Sequence, residues 1–319
     1  MPSFTLLGQA LVSGVLIGGL YGLLGLGLTL SWGLLHLINI AYFGLAFLSA
    51  YLTYHLGEVY HLPPWYAAAL LVPAFFAAGV ALHWTLARFR VAGLVSLLVT
   101  FGLIVVVEAV IQIVWTADFR KLELPYLTAS AKLGPVYLPY MELTAFLIAA
   151  ALAVGTWAVL RYTYFGKAVR AAAEEPSMAA AYGINHRANA LLIAGLCAAS
   201  AAAAGIFIAL TTTLAPSQMF AWFGVVFAVV IIGGLGNPLG ALVAGVLIGV
   251  AESMTMALIA PAWAPVVAFS LLIALLIWQP RWLGRATAAR RPRSWPWPPR
   301  RCSSCPPPRC RRSTSRSST

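Results

Sequence analysis

Apolar residues in this chain run in long blocks, and short connectors rich in polar residues, glycine or proline separate them. Nine blocks can be marked: 6–30, 34–54, 65–87, 91–115, 141–160, 189–213, 222–232, 239–256 and 263–278. About 20 consecutive apolar residues carry a helix across about 30 Å of hydrocarbon, and only self-satisfied backbone can cross it. The pattern therefore predicts an all-α fold, a polytopic integral membrane helical bundle of about eight spans. Block 222–232 is short. It precedes Gly233-Gly234-Leu235-Gly236-Asn237-Pro238, which makes 222–238 a candidate re-entrant or broken helix, because irregular backbone at membrane depth has to be enclosed by protein or line a cavity.

Composition excludes a soluble domain. The chain is 61% hydrophobic and 9% charged, whereas a water-facing surface normally needs about a quarter of its residues charged. A net charge of +12 would point to nucleic acid, but 11 of the 20 basic residues lie from Arg281 onward. The remainder is close to neutral, so no nucleic-acid partner is expected. A basic stretch after the last apolar block reads instead as an anchor beside anionic membrane lipid. Residues 1–285 are read as the membrane domain and 286–319 as a disordered tail whose Pro, Arg, Ser and Cys content cannot bury a core. Cys302, Cys305 and Cys310 lie in that tail and Cys197 in an Ala-rich apolar run, so neither a disulfide framework nor a metal site is expected. The first basic residue is Arg88, so the first block lacks the positive flank of a cleaved signal and is read as a retained helix.

Orientation follows from the Lys/Arg bias of short loops. Arg88 and Arg90 mark one inside loop, Arg161, Lys167, Arg170 and Arg187 a second, and the Arg281 region a third. The connector 116–140, with Arg120, Lys121 and Lys132 beside Asp118, Glu123 and several prolines, is placed outside, and the N-terminus with it.

The chain offers no catalytic constellation. His36, His55, His61, His83 and His186 are scattered near block ends, no H-E-x-x-H pair occurs, and Gly166-Lys167-Ala168 is not a phosphate loop. The protein is not expected to be an enzyme or to hydrolyse ATP by itself, and no cofactor is implied. Intramembrane acids are confined to Glu108, in mid-block, and Glu252, read first as an interfacial or capping carboxylate. Gly14, Gly18 and Gly22, and later Gly236, Gly240, Gly245 and Gly249, fall at helical spacing and are read as packing seams, with lining of a path as the alternative.

The most informative connector is 161–188, on the inside. Lys167–Glu175 is a good helix former, Pro176 can open a second helix, and Gly183 suits a helix end. Two short helices on one loop offer a docking surface for a soluble partner or, alternatively, lie on the membrane.

At these residues the chain resembles the permease family of branched-chain amino acid ABC importers, LivH type. Gly166 to Asn185 is similar to the family's G-x-x-x-R-A-x-A loop ending in Gly-Ile-Asn, with Arg170, Ala171, Gly183 and Ile184 at the matching places. Ile232-Gly233-Gly234-Leu235-Gly236-Asn237-Pro238 with Gly249 and Glu252, the 279–285 stretch, the run Gly14 to Gly27, and Asn39-Ile40-Ala41 also fit. Where the family usually has His-Gly after that last triplet, this chain has Tyr42 and Phe43, which leaves the substrate open among branched-chain and related small amino acids or amides.

The resemblance implies a non-catalytic, alternating-access pore in the bacterial inner membrane. Its implied partners are a second permease subunit, LivM-like or a homologous copy, two cytoplasmic ABC ATPase subunits and an extracytoplasmic substrate-binding protein. Arg170, Ala171, Glu174, Gly183 and Ile184 are the expected ATPase-coupling residues. Asn39, Tyr42 and Glu108 are candidates for the substrate path, with Asn39 alternatively bonded to backbone. The competing expectation is an ion-coupled carrier acting alone through Glu108.

Overall fold

The computed structural model describes residues 4–35, 39–89, 94–122, 130–133, 136–258 and 263–278. His36, Arg90 and the whole stretch from residue 279, including the expected tail, lie outside the described residues. The nine apolar blocks become nine helices: α1 (Phe4–Leu35), α2 (Ala41–Val59), α3 (Pro64–Arg88), α4 (Leu94–Trp115), α5 (Tyr140–Tyr162), α8 (His186–Thr211), α9 (Gln218–Gly233), α10 (Pro238–Leu258) and α11 (Ala264–Trp278). The inside connector forms α6 (Tyr164–Glu174) and α7 (Pro176–Ala181). A short hairpin, β1 (Ser130–Leu133) with β2 (Val136–Pro139), precedes α5 and pairs antiparallel from Ser130 opposite Pro139 to Leu133 opposite Val136.

Six described helices are long and apolar enough to cross a membrane: α1, α3, α4, α5, α8 and α10. The expected eight is not reached by that measure, because α2 and α9 are shorter or more polar. Both are enclosed. α2 packs against α8, α4 and α3, and Tyr42, Phe43, Phe47, Ser49, Tyr51 and Thr53 are all buried. A helix that sees protein on most sides can carry hydroxyls that a lipid-facing helix cannot.

The 222–238 segment holds a helix and then a turn. α9 is one unbroken helix that begins at Gln218, and its 16 residues rise about 24 Å. It ends where Gly234 and Gly236 take φ of 86° and 79°, backbone that favours glycine, and Pro238 opens α10. The turn lies against α1: Gly236 N donates to Thr29 O at 3.2 Å, and Gly33 meets the Gly236 backbone. Helix, glycine turn and helix thus form a hairpin.

Sidedness is readable from cross-contacts. The Gln9 amide brackets the Tyr137 backbone, donating to its carbonyl at 2.9 Å and accepting from its N–H at 2.8 Å. The N-terminal end of α1 and the hairpin therefore share one face. Arg120 and Leu214 form a bridge beyond the ends of α4 and α8 on that same face. The C-terminal end of α1 instead holds α6, where Leu34 and Leu35 pack with Val169 and Ala173.

α1 and α10 meet backbone to backbone. A Cβ on Gly14 would lie 2.7 Å from Val250 Cα, one on Gly18 2.5 Å from Val246 Cα, and one on Gly22 2.9 Å from Leu242 Cα. From the other side, a Cβ on Gly245 would lie 2.6 Å from Gly18 O and one on Gly249 2.5 Å from Gly14 O. Gly236 and Gly240, expected on this stripe, lie elsewhere. Gly236 precedes the helix and lies against Gly33 of α1, and Gly240, in the first turn of α10, packs on the Gly233 carbonyl of α9. Glu252 also differs from its reading as an interfacial carboxylate: it is 8% exposed and accepts a 2.9 Å hydrogen bond from Tyr21 Oη across the same helix pair.

Three outcomes are expected in detergent thermal-unfolding measurements. Gly18→Leu, which forces side-chain atoms into backbone, lowers the melting temperature sharply, as overpacking costs about 1–3 kcal/mol or more. Gly102→Leu on α4, where a Cβ meets nothing within 4 Å, leaves it unchanged. Tyr21→Phe removes the partner of a buried carboxylate and costs about 1–3 kcal/mol.

Candidate coupling surface and translocation path

The α5–α6 corner is set by two local devices. Thr163 Oγ1 accepts from Gly166 N at 3.1 Å, capping α6, and donates to Val159 O at 2.6 Å. Gly166 lies so close to the Val159 and Leu160 backbone that any side chain would collide. α6 then buries Gly166, Val169 and Ala172 in a cluster with Leu34 of α1, Leu160 of α5 and Ile193 of α8. Its opposite face is exposed and carries Lys167, Arg170, Ala171 and Glu174.

α7 follows after Glu175 and ends in a glycine cap. Gly183 N donates to Ala180 O at 3.0 Å and Ile184 N to Ala179 O at 3.1 Å, the paired bonds of a Schellman motif. Gly183 has φ of 79°, which any L side chain strains. Asn185 then caps α8, accepting from Ala188 N at 3.2 Å. Of the expected coupling residues, Arg170, Ala171, Glu174 and Gly183 are exposed together and Ile184 is half-buried. Gly183 contributes a bend, and Ile184 helps to close it.

The sequence reading passed over three side chains that dominate this surface: Tyr164 at 90% exposure, Tyr182 at 84% and Met178 at 60%. Large apolar residues on a polar connector, at positions the bundle does not need, were the available signal.

The path candidates separate. Asn39 sits just before α2, and its Oδ1 is buried with no hydrogen-bond partner, so the backbone-bonded alternative is not seen for that oxygen. With Ser31, Tyr42, His83 and Cys197 it lines a cavity of about 20 Å³, room for about one water. Tyr42 is buried, and its hydroxyl reaches Gly27 and Ser200, where a Cβ on Gly27 would lie 2.6 Å from Tyr42 Oη and 2.5 Å from Ser200 Oγ. Gly27 is thus what admits a tyrosine here. Phe43 stacks edge-on to Phe223 of α9 at 5.2 Å. The inner end of α2 is therefore plugged in this conformation.

Glu108 does not join them. Gln112 Nε2 donates to its Oε1 at 3.2 Å, on a helix that packs chiefly on α2 and otherwise exposes Val105, Val106 and Val110. Thr100, which accepts from Ile40 N at 3.3 Å, marks where α4 meets the Asn39 end. Glu108 lies two turns away, about 12 Å along the axis. A larger cleft of about 430 Å³ between α3, α5 and α8 is lined by Trp65, Leu152, Leu196 and Phe207, with Thr156 and Ser200 as its polar members. Such a lining suits hydrocarbon better than a zwitterion.

Gly183→Ala should weaken the α7 cap by about 1–2 kcal/mol. Hydrogen exchange read by mass spectrometry would then quicken over 176–185 and leave α1 and α10 unchanged.

Comparison with known proteins places these features. The family model for the branched-chain amino acid transport system permease component matches residues 10–276. The chain is 25% identical over 289 residues to the high-affinity branched-chain amino acid transport system permease protein LivH of Salmonella typhimurium, covering 85% of this chain and 93% of that protein. It is 24% identical, with 85% and 94% covered, to the corresponding permease protein BraD of Pseudomonas aeruginosa. A probable LivH permease of Methanocaldococcus jannaschii is 35% identical over 103 residues, 32% of this chain and 33% of that protein. No solved structure matches the chain. With nearly the whole membrane bundle inside the match, the chain belongs to the family of branched-chain amino acid transport system permease components.

Proposed function

We propose that this chain is one permease subunit of an ATP-driven importer, a multi-pass protein of the bacterial inner membrane that carries branched-chain or closely related amino acids inward. The family supports this reading over a carrier acting alone. The observation that carries it is the exposed α6–α7 surface, braced from beneath by α1, α5 and α8.

In this reading Tyr164, Met178 and Tyr182 are the anchors for an ATPase subunit, and Arg170, Ala171 and Glu174 complete the contact. Exposed ion pairs contribute about 0–1 kcal/mol, so packing of the aromatic and Met side chains dominates. ATP binding displaces α6, and α6 is seated on the C-terminal end of α1, which is locked to α10. The displacement therefore moves a rigid pair. The two end states must differ in affinity for ATPase or substrate for the drive to exist. A second permease subunit, LivM-like or a copy of this one, encloses the path with it, and an extracytoplasmic binding protein delivers the amino acid. The valine-rich face of α4 and the 430 Å³ cleft are left to lipid or to that second permease.

The test is co-expression with the neighbouring genes and purification in detergent. Two ATPase-type subunits are expected to co-elute, and Met178→Ala with Tyr182→Ala should cut their recovery by at least about tenfold, since an interface anchor contributes about 2 kcal/mol. A chain that elutes alone and transports when reconstituted alone would overturn the proposal.

A further inference from the structure

Beside Tyr51, in the middle of α2, three buried hydrogen-bond donors on adjoining residues lack an acceptor. Tyr51 is 0% exposed, and its ring lies 5.7 Å from that of Trp115, the last residue of α4. Arg120 Nη2 reaches Trp115 O at 3.4 Å. Tyr51 Oη, Trp115 Nε1 and Arg120 Nε are all buried, and none has a hydrogen-bond partner. Most buried polar groups are satisfied, so three unsatisfied ones in one place ask for a missing acceptor.

The surrounding backbone holds them there. Thr116, a β-branched residue, takes φ of 67°, a left-handed conformation seldom adopted by that residue type. Four residues on, Arg120 N donates to Leu214 O at 2.9 Å and Leu214 N to Arg120 O at 2.7 Å. This pins the arginine between the end of α4 and the α8–α9 connector. Nη2 is occupied by Trp115 O and by Thr116 Oγ1 at 3.3 Å. Asp118 is 3.9 Å away with its side chain 75% exposed, a loose surface pair that leaves Nε unused. His55 meets Trp115 edge-on, 5.9 Å between centroids.

Indole and guanidinium groups donate and cannot accept. Together with the tyrosine hydroxyl they form a donor-rich cluster that includes a guanidinium, complementary to a carboxylate, and charge-assisted hydrogen bonds are the strong ones. The cluster lies toward the face of the hairpin and the Arg120–Leu214 bridge, opposite α6 and α7. We propose that Tyr51 Oη, Trp115 Nε1 and the Arg120 guanidinium form the outer receiving site for the α-carboxylate of the transported amino acid. This rests on the importer reading above. It places the first contact beside Tyr51 in the middle of α2, the helix whose N-terminal end carries Tyr42, with Asn39 just before it.

The experiment uses the purified assembly of this chain with its second permease and ATPase subunits. Ligand-observed NMR measures Kd for L-leucine and for leucinamide, which lacks the carboxylate. The wild type should prefer L-leucine. Tyr51→Phe and Trp115→Phe should each weaken L-leucine by about tenfold or more, the loss of one hydrogen bond to a charged group, and leave leucinamide unchanged. Arg120→Gln should abolish the preference. Unchanged L-leucine affinity in both aromatic variants overturns the proposal, as does a wild type that binds the two ligands alike. Docking of the substrate-free binding protein, measured by surface plasmon resonance, separates the other source of a carboxylate. If the variants lose docking while keeping L-leucine affinity, the acceptor is a side chain of that protein and the substrate site is overturned. An assembly that imports with ATP but is indifferent to these variants defeats this inference alone; purification without ATPase subunits defeats the importer reading, and this inference with it.

Discussion

A bilayer gives helices no hydrophobic reason to associate, since lipid tails are as apolar as leucine side chains, so association rests on close van der Waals contact. In this protein that contact is the glycine-lined meeting of α1 with α10. Gly14, Gly18 and Gly22 on one helix and Gly245 and Gly249 on the other let peptide backbones touch where any side chain would separate them. The Tyr21–Glu252 hydrogen bond crosses the same pair, satisfying a carboxylate that would otherwise be buried alone.

Because α1 is fixed along its length, whatever rests on its ends is positioned too. Its C-terminal end receives the α9–α10 turn at Thr29 and Gly33 and the buried face of α6 at Leu34 and Leu35. Its N-terminal end holds the β-hairpin through Gln9. One rigid helix thus connects the outer face to the coupling surface. Packed interfaces of this kind shift between discrete arrangements instead of deforming smoothly, which is the behaviour an alternating-access pore requires.

α2 is the counterpart of that rigid pair. Enclosed by α3, α4 and α8, it can carry tyrosines and hydroxyls at membrane depth. Its inner end is plugged by Tyr42, which exists as a tyrosine only because Gly27 leaves room for its hydroxyl. Its middle carries Tyr51, one of three buried donors without a partner. The one conformation seen has the inner end closed, with a cavity of about 20 Å³, too small for any amino acid.

The run of apolar residues by itself determined the helical membrane class and the location of all nine long helices, because hydrocarbon imposes a length and forbids open backbone. Pro176 and Gly183 likewise marked the bounds of α7, since their allowed backbone angles are local properties. Only the tertiary structure decided which glycines face another helix. Gly236 and Gly240 share the spacing of Gly245 and Gly249, yet a turn intervenes and takes them out of the seam. It also made Glu252, read as an interfacial or capping carboxylate, a buried partner of Tyr21, 231 residues away in sequence, and left Tyr164, Met178 and Tyr182 uncovered. The donors at Tyr51, Trp115 and Arg120 belong to the same class. Each reads as an ordinary residue of its own segment, and the missing acceptor is evident only once three segments are folded to one point.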